Sequence, residues 1–336
     1  MTPGHDTARP LLSVEGLTID LPGVQPGLVE DVTFQVREGH CTALIGESGC
    51  GKTLTSMSIL GLLPASVRVS AGSVWFDGVD LLTRTPRQLR RVRGGPVGMI
   101  FQEPMSSLNP TMTVGDQIAE ARRLHLGERR KTALARAREL LERVGIPNAA
   151  RRIGAYPHEM SGGMQQRVMI AAAIACEPRL IIADEPTTAL DVTIQAEILA
   201  LLRDLQRDLD LAVLLVTHDL GVVADFCDDV VVMYAGHIAE RTTVDGLFYD
   251  PAHPYSSALL AAVPQVGQAR SRLTVIPGRV PSAGGLPAGC RFEPRCAHAQ
   301  SPCGERQPDV SLGDGRRTRC GRVASGELTL QGALRG

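Results

Sequence analysis

An α/β fold built on a mostly parallel sheet follows from three features of this sequence. Gly46-Glu47-Ser48-Gly49-Cys50-Gly51-Lys52-Thr53 matches the G-x-x-x-x-G-K-[ST] phosphate-binding pattern at every position. A fully apolar run, Leu180-Ile181-Ile182-Ala183, ends in the acidic pair Asp184-Glu185. Around both, short apolar runs alternate with stretches of helical periodicity.

The flanks give the first feature its meaning. Cys41 to Ile45 is apolar and partly β-branched, which suits a buried strand, and Leu54 to Leu62 carries apolar residues at helical intervals. The glycines therefore fall on a strand-to-helix turn. Backbone N–H groups can converge on an anion there, and the helix N-terminus adds its positive dipole end. Lys52 is expected to reach the β- and γ-phosphates of a nucleotide, and the Thr53 hydroxyl to ligate Mg²⁺.

The remaining elements read in order. Leu11–Asp20 and Leu28–Val36 form strands of an antiparallel layer, joined by a turn from Pro22-Gly23 to Pro26-Gly27. Ser73–Phe76 is a strand closed by Asp77-Gly78. Val97–Phe101 is a short buried strand that delivers Gln102. From Thr113 to about Gly145, spaced leucines among Arg, Glu and Ala predict helices. Ser161-Gly162-Gly163 precedes an Ala- and Ile-rich helix over Met164–Cys176. Val192–Leu209 is an amphipathic helix, and Ala212–Val216 a strand ending in Thr217-His218-Asp219. Val230–Met233 and His237–Glu240 suggest a hairpin, and His253-Pro254-Tyr255 opens a helix through Ala262. Beyond Pro264, proline, glycine and arginine dominate, so a braced, loop-rich tail is expected rather than a second hydrophobic core.

Composition narrows the function. The 336 residues allow one large domain plus an appendage, or two domains. A net charge of −1 provides no basic excess to track a phosphate backbone, so no nucleic-acid partner is expected. No apolar run approaches the roughly 20 residues of a membrane span, and Met1–Pro10 lacks the apolar centre of a signal peptide. A cytosolic protein is expected, meeting a membrane only through a partner.

The second feature adds chemistry. An Asp at the carboxyl end of a buried strand, here Asp184, can hold Mg²⁺ beside Thr53, and Glu185 can then orient an attacking water. A further motif is Ser161-Gly162-Gly163-Met164-Gln165. Serine is a good N-cap, and the glycines leave N–H groups open to an anion.

In this order the motifs resemble the ATP-binding subunit of an ABC transporter, and the resemblance spans nearly the whole chain. It implies an ABC-type core with an antiparallel β layer and a helical subdomain over about residues 103–176, all within residues 11–250. It also implies that Gln102 contacts Mg²⁺ and senses the membrane subunit. Ser161 to Gln165 is similar to the family signature, with Met164-Gln165 in place of the commoner ending. Thr188-Ala189-Leu190-Asp191 corresponds to the loop that crosses a dimer interface, and His218 to the histidine that contacts the γ-phosphate. One protomer would supply Lys52, Thr53, Asp184, Glu185 and His218, and its partner the Ser-Gly-Gly helix. The family's adenine-stacking aromatic has no counterpart here, where Leu21 and Pro22 stand.

Further stretches narrow the resemblance. Glu103 to Pro110, the helix Met164 to Ala171, His253-Pro254-Tyr255 and Gly289-Cys290-Arg291-Phe292 resemble the D-type ATPase of bacterial dipeptide and oligopeptide importers. This implies peptide import with an F-type ATPase paralogue, two permease subunits and, indirectly, a solute-binding protein, at the cytoplasmic face of the cell membrane. Nickel and other small-solute importers share the subfamily. A non-transport ABC ATPase is a further alternative, but no heptad run provides the coiled coil of a chromosome ATPase.

Of the eight cysteines, Cys41, Cys50, Cys176 and Cys227 read as reduced core thiols. Cys290, Cys296, Cys303 and Cys320 crowd into residues 251–336, which read as a small C-terminal domain. Their C-x5-C-x6-C-x16-C spacing is not a zinc ribbon, and disulfides are disfavoured in a cytosolic chain. Four unrelated thiols, or four thiolates bracing the tail around one centre, both remain open. The resemblance implies a [4Fe–4S] cluster, with zinc as the runner-up.

Overall fold

The computed structural model describes residues 10–23, 27–188, 190–262 and 275–332. Pro26 of the expected turn, Ala189 of the crossing loop and the start of the tail after Ala262 lie outside them.

The chain begins with β1 (Leu12–Asp20), β2 (Val29–Val36) and β3 (Cys41–Ile45), then α1 (Lys52–Ile59), β4 (Arg68–Phe76) and β5 (Val79–Asp80). It continues through α2 (Pro86–Val92), β6 (Val97–Ile100), α3 (Pro104–Ser107), α4 (Val114–Leu126), α5 (Arg130–Arg143), α6 (Ala149–Arg152) and α7 (Gly162–Ala173). Then come β7 (Leu180–Asp184), α8 (Val192–Leu209), β8 (Ala212–Thr217), α9 (Leu220–Phe226), β9 (Asp229–Tyr234) and β10 (His237–Thr243). α10 (Val244–Tyr249), α11 (Pro254–Ala261), β11 (Val310–Gly313), β12 (Arg316–Thr318) and α12 (Gly321–Ala324) complete the described chain.

These elements form two compact units. One takes Val36–His40 and Thr83–Leu215; the other takes Leu12–Gln35, Cys41–Leu82 and the chain from Val216 onward. In the first, β6 and β7 pair in parallel, Val97 against Leu180 through Ile100 against Ala183. Every residue of β7 is buried, as its unbroken apolar run requires. The helices α4, α5 and α7 pack together around buried Ile118, Ala137, Leu141 and Val168. Each of these lies on the apolar stripe of its helix.

In the second unit β1, β2, β4 and β5 form the antiparallel layer, ordered β2-β1-β4-β5. β4 runs back to Arg68, beyond the apolar Ser73–Phe76, because its exposed half pairs with β1 all the way to Asp20. β3 pairs in parallel with β9, and β9 with β10 as the expected hairpin. The tail departs from expectation. Its β11–β12 hairpin adds β12 to the open edge of β10, Thr318 against Glu240. Phe292 joins Tyr234 and Tyr255 in one aromatic cluster with ring centroids 4.6–5.3 Å apart. The tail is thus seated on the core of its unit, a placement that its Gly, Pro and Arg content concealed.

Candidate active site

The glycine-rich loop is a backbone device. It leaves β3, all of whose residues are buried, at Gly46, where φ is 151°. A Cβ on Gly46 would stand 2.2 Å from the Met233 carbonyl oxygen, so glycine alone fits. Gly51, with φ 103°, is the N-cap of α1. The Gly236 amide donates to the Cys50 carbonyl at 2.9 Å, which holds the loop against the β9–β10 turn. Lys52 is 5% exposed, and its Nζ donates to the carbonyls of Gly46 (2.7 Å) and Glu47 (3.1 Å). A buried ammonium needs such partners. Ser48 and Gly49 are exposed, and Thr53 lies half-buried on the first turn of α1.

Glu47 is anchored elsewhere. Its carboxylate pairs with the Arg295 guanidinium at 2.8 Å, and its amide donates to the Tyr255 phenol oxygen at 2.9 Å. Burial pushes the Tyr255 phenol up, which keeps it neutral. His218, in the same unit, is exposed on the bend between β8 and α9. Asp219 beside it accepts from the amides of Gly221 and Val222 and so caps α9.

The acidic loop of the other unit is a side-chain device. β6 and β7 end at the same sheet edge, which brings Gln102 to Glu185. Gln102 Nε2 donates to Glu185 Oε2 at 3.0 Å, and Thr188 Oγ1 donates to the same oxygen at 2.8 Å. Glu185 itself takes a left-handed backbone, φ 46°. Asp184, one residue earlier, is only 2% exposed at the end of β7. Two donors on one carboxylate oxygen orient the group, as a carboxylate that aligns a water requires.

Ser161, exposed, is the N-cap of α7 and makes no side-chain capping bond. Gly162 is exposed too, and a Cβ on Gly163 would meet Ile194 Cγ2 at 2.9 Å. Gln166 of α7 donates to the Pro186 carbonyl at 2.6 Å, tying this helix to the acidic loop. Asp191 caps α8, accepting from the Ile194 amide at 3.0 Å. The loop from Gly46 to Thr53 and His218 thus belong to one unit, and Gln102, Ser161 to Gly163, Asp184, Glu185 and Asp191 to the other. The roles of Thr188 on Glu185 and of Gln166 were missed from sequence. The three-residue step from Glu185 to Thr188 was the available signal for the first.

All eight cysteines are free. Cys290, Cys296, Cys303 and Cys320 share one neighbourhood, with the Cys290 amide donating to the Cys303 carbonyl at 2.8 Å. Burial, and then the other three thiols, push Cys290 up to about 11 despite a bond from the Phe292 amide. Burial raises Cys296 and Cys320 as well. The donor type suits a soft metal centre. Among the described residues, however, no group of three or more His, Cys, Asp or Glu side chains converges to hold an ion.

A glycine-built cradle with a buried lysine, and a strand-borne Asp-Glu pair, define a P-loop nucleoside triphosphatase. Comparisons specify which. Residues 29–188 match the family model described as ABC transporter, and residues 239–303 that of the oligopeptide/dipeptide transporter C-terminal region. A Brucella abortus (strain 2308) protein named for peptide import and ATP binding is 48% identical over 313 residues, 93% of this chain and 94% of the relative. The oligopeptide transport ATP-binding protein AppD of Bacillus subtilis (strain 168) is 48% identical over 294 residues, 87% of this chain and 90% of AppD. Among solved structures, the dimeric post-hydrolysis ATP-binding cassette MJ0796 with ADP and Pi has a TM-score of 0.62 at 25% identity. That likeness covers 69% of this chain and 98% of MJ0796. CbiO1 of Clostridium perfringens has a TM-score of 0.61 at 26% identity, covering 72% and 91%. The chain belongs to the ABC transporter family, among its ATP-hydrolysing subunits, whose ligands are ATP and Mg²⁺.

Proposed function

We propose that this subunit hydrolyses ATP at a dimer interface to drive import of di- and oligopeptides through partner permease subunits. The observation that carries the cargo is the double match. One chain joins the ABC transporter region to the oligopeptide/dipeptide C-terminal region, and relatives named for peptide transport align with it along nine-tenths or more of their length. The second ATPase is an F-type paralogue, the permeases are two, and a solute-binding protein delivers the peptide. The subunit sits at the cytoplasmic face of the membrane, held there by the permeases. Among the described residues no helix is long and apolar enough to cross a membrane.

Residues 11–250 form the nucleotide-binding domain in this reading, with the helical segment of about residues 103–176 facing the permease, and residues 251–336 the C-terminal region. Gly46 to Thr53 bind the phosphates, with Lys52 supplying charge and Gly46, Gly49 and Gly51 the backbone geometry. Thr53, Gln102 and Asp184 supply oxygen donors for Mg²⁺, which neutralises phosphate charge when bound. Glu185 orients the attacking water, an assignment supported by its two donors. His218 contacts the γ-phosphate, and the exposed Ser161-Gly162-Gly163 helix start and Asp191 serve the partner's nucleotide.

For the tail we retain a thiolate-ligated [4Fe–4S] centre on Cys290, Cys296, Cys303 and Cys320, with zinc second. The mutual nearness of the four thiols supports it, although among the described residues they do not converge as one ligand set. Anaerobically purified protein should be brown, with iron and acid-labile sulfide near four per chain if the cluster is present. Metal-free protein with four titratable tail thiols would remove it. The cargo is tested by uptake of labelled di- and tetrapeptides in cells lacking this subunit. Unchanged peptide uptake beside lost uptake of another solute overturns the peptide reading.

A further inference from the structure

The C-terminal region grips the glycine-rich loop from two directions within one unit. Arg295, 9% exposed, places Nη1 and Nη2 on the two carboxylate oxygens of Glu47 at 2.8 and 3.2 Å. Its own position is over-determined. Nε donates to the Pro277 carbonyl at 2.7 Å, Nη2 to the Ile276 carbonyl at 3.3 Å and Nη1 to the Tyr234 phenol at 3.3 Å. The guanidinium also lies 5.8 Å from the Tyr234 ring centroid. The second grip is on the backing turn. Arg291 Nη1 donates to the Ala235 carbonyl at 2.5 Å, next to the Gly236 amide that holds Cys50. Glu47 and Cys50 bracket the exposed Ser48-Gly49, so both ends of the anion-facing backbone are fixed from outside the loop.

We propose that Arg295 is a positioning residue for ATP binding, acting through the Glu47 carboxylate to hold the phosphate-binding backbone in register. This rests on the reading of Gly46 to Thr53 as the phosphate cradle. The reason is geometric. A bidentate arginine–carboxylate pair fixes orientation as well as distance, which a single contact does not. Glu47 heads the turn whose carbonyls hold Lys52, so a carboxylate released from Arg295 lets the turn re-orient and misplaces both the amides and the ammonium. The effect falls on nucleotide binding rather than on the chemical step, because Arg295 holds the cradle before the γ-phosphate reacts.

The test is a double-mutant cycle on the full chain with a fluorescent ATP analogue, read as Kd, together with kcat and KM. Arg295→Ala and Glu47→Ala should each weaken binding about tenfold, and the double variant no further than either single one. KM should rise with kcat nearly unchanged, and Arg295→Lys should recover only part of the loss. Glu47→Ala leaves Arg295 its three other partners, so it decides the matter if Arg295→Ala does not fold. Wild-type Kd in folded Glu47→Ala, or losses that multiply in the double variant, overturn the proposal. Lys52→Ala is the control: if it too binds as wild type, the phosphate-cradle reading itself has failed.

Discussion

Two loops leave two fully buried strands, and they are built in opposite ways. The loop after β3 is shaped by backbone: Gly46 and Gly51 at positive φ, carbonyls on Lys52, and an amide on the Cys50 carbonyl. The loop after β7 is shaped by side chains: Gln102 and Thr188 on Glu185, and Gln166 on the Pro186 carbonyl. On the proposed reading the difference matches the task of each. A polyphosphate presents many oxygens and is best met by many N–H groups in fixed array, whereas a single water needs one well-aimed acceptor. Backbone arrays tolerate almost no substitution at their glycines. Side-chain arrays degrade by degrees.

The largest effect should come from Glu185→Gln, which keeps shape and ATP binding but lowers kcat by about 10²–10⁴-fold in the assembled transporter. Near-normal turnover would remove Glu185 from its role. Lys52→Ala should show the reverse split, weakening ATP affinity by about 10–100-fold as charged hydrogen bonds to phosphate are lost. Unchanged affinity in a binding titration contradicts it.

Gly46→Ala should destabilise the protein by about 2–5 kcal/mol and weaken nucleotide binding with it, since the new Cβ meets the Met233 carbonyl in a left-handed backbone. A thermal midpoint equal to wild type would show that this loop can yield after all. The side-chain loop should respond in steps. Gln102→Ala should cost about tenfold in kcat, because on this reading it loses a Glu185 donor and a Mg²⁺ contact together. Thr188→Val loses one donor alone and should cost about threefold. Equal losses in the two variants would mean that Gln102 acts through Glu185 only.

How much of this was legible follows from chain distance. The Gly46 to Thr53 cradle, β7 with Asp184-Glu185, and α8 over Val192–Leu209 are written in contiguous patterns of glycine, apolar run and helical period, so local reading found them. Short elements with mixed composition escaped: α2, α9 and α10 have seven residues or fewer, too few to display a period.

Local composition decided that β3 and β7 would be buried strands, that glycine would stand where they turn, and that a lysine and two carboxylates would follow them. Burying an unbroken apolar run needs no particular partner, so the run itself suffices. Which groups would complete these loops was decided by the folded chain. Arg295 reaches Glu47 across 248 positions, Tyr255 reaches it across 208, and Gln102 reaches Glu185 across 83. Hydrogen bonds and ion pairs are directional and short-ranged, so each exists only once sheet register and tail docking have set its two ends within about 3 Å.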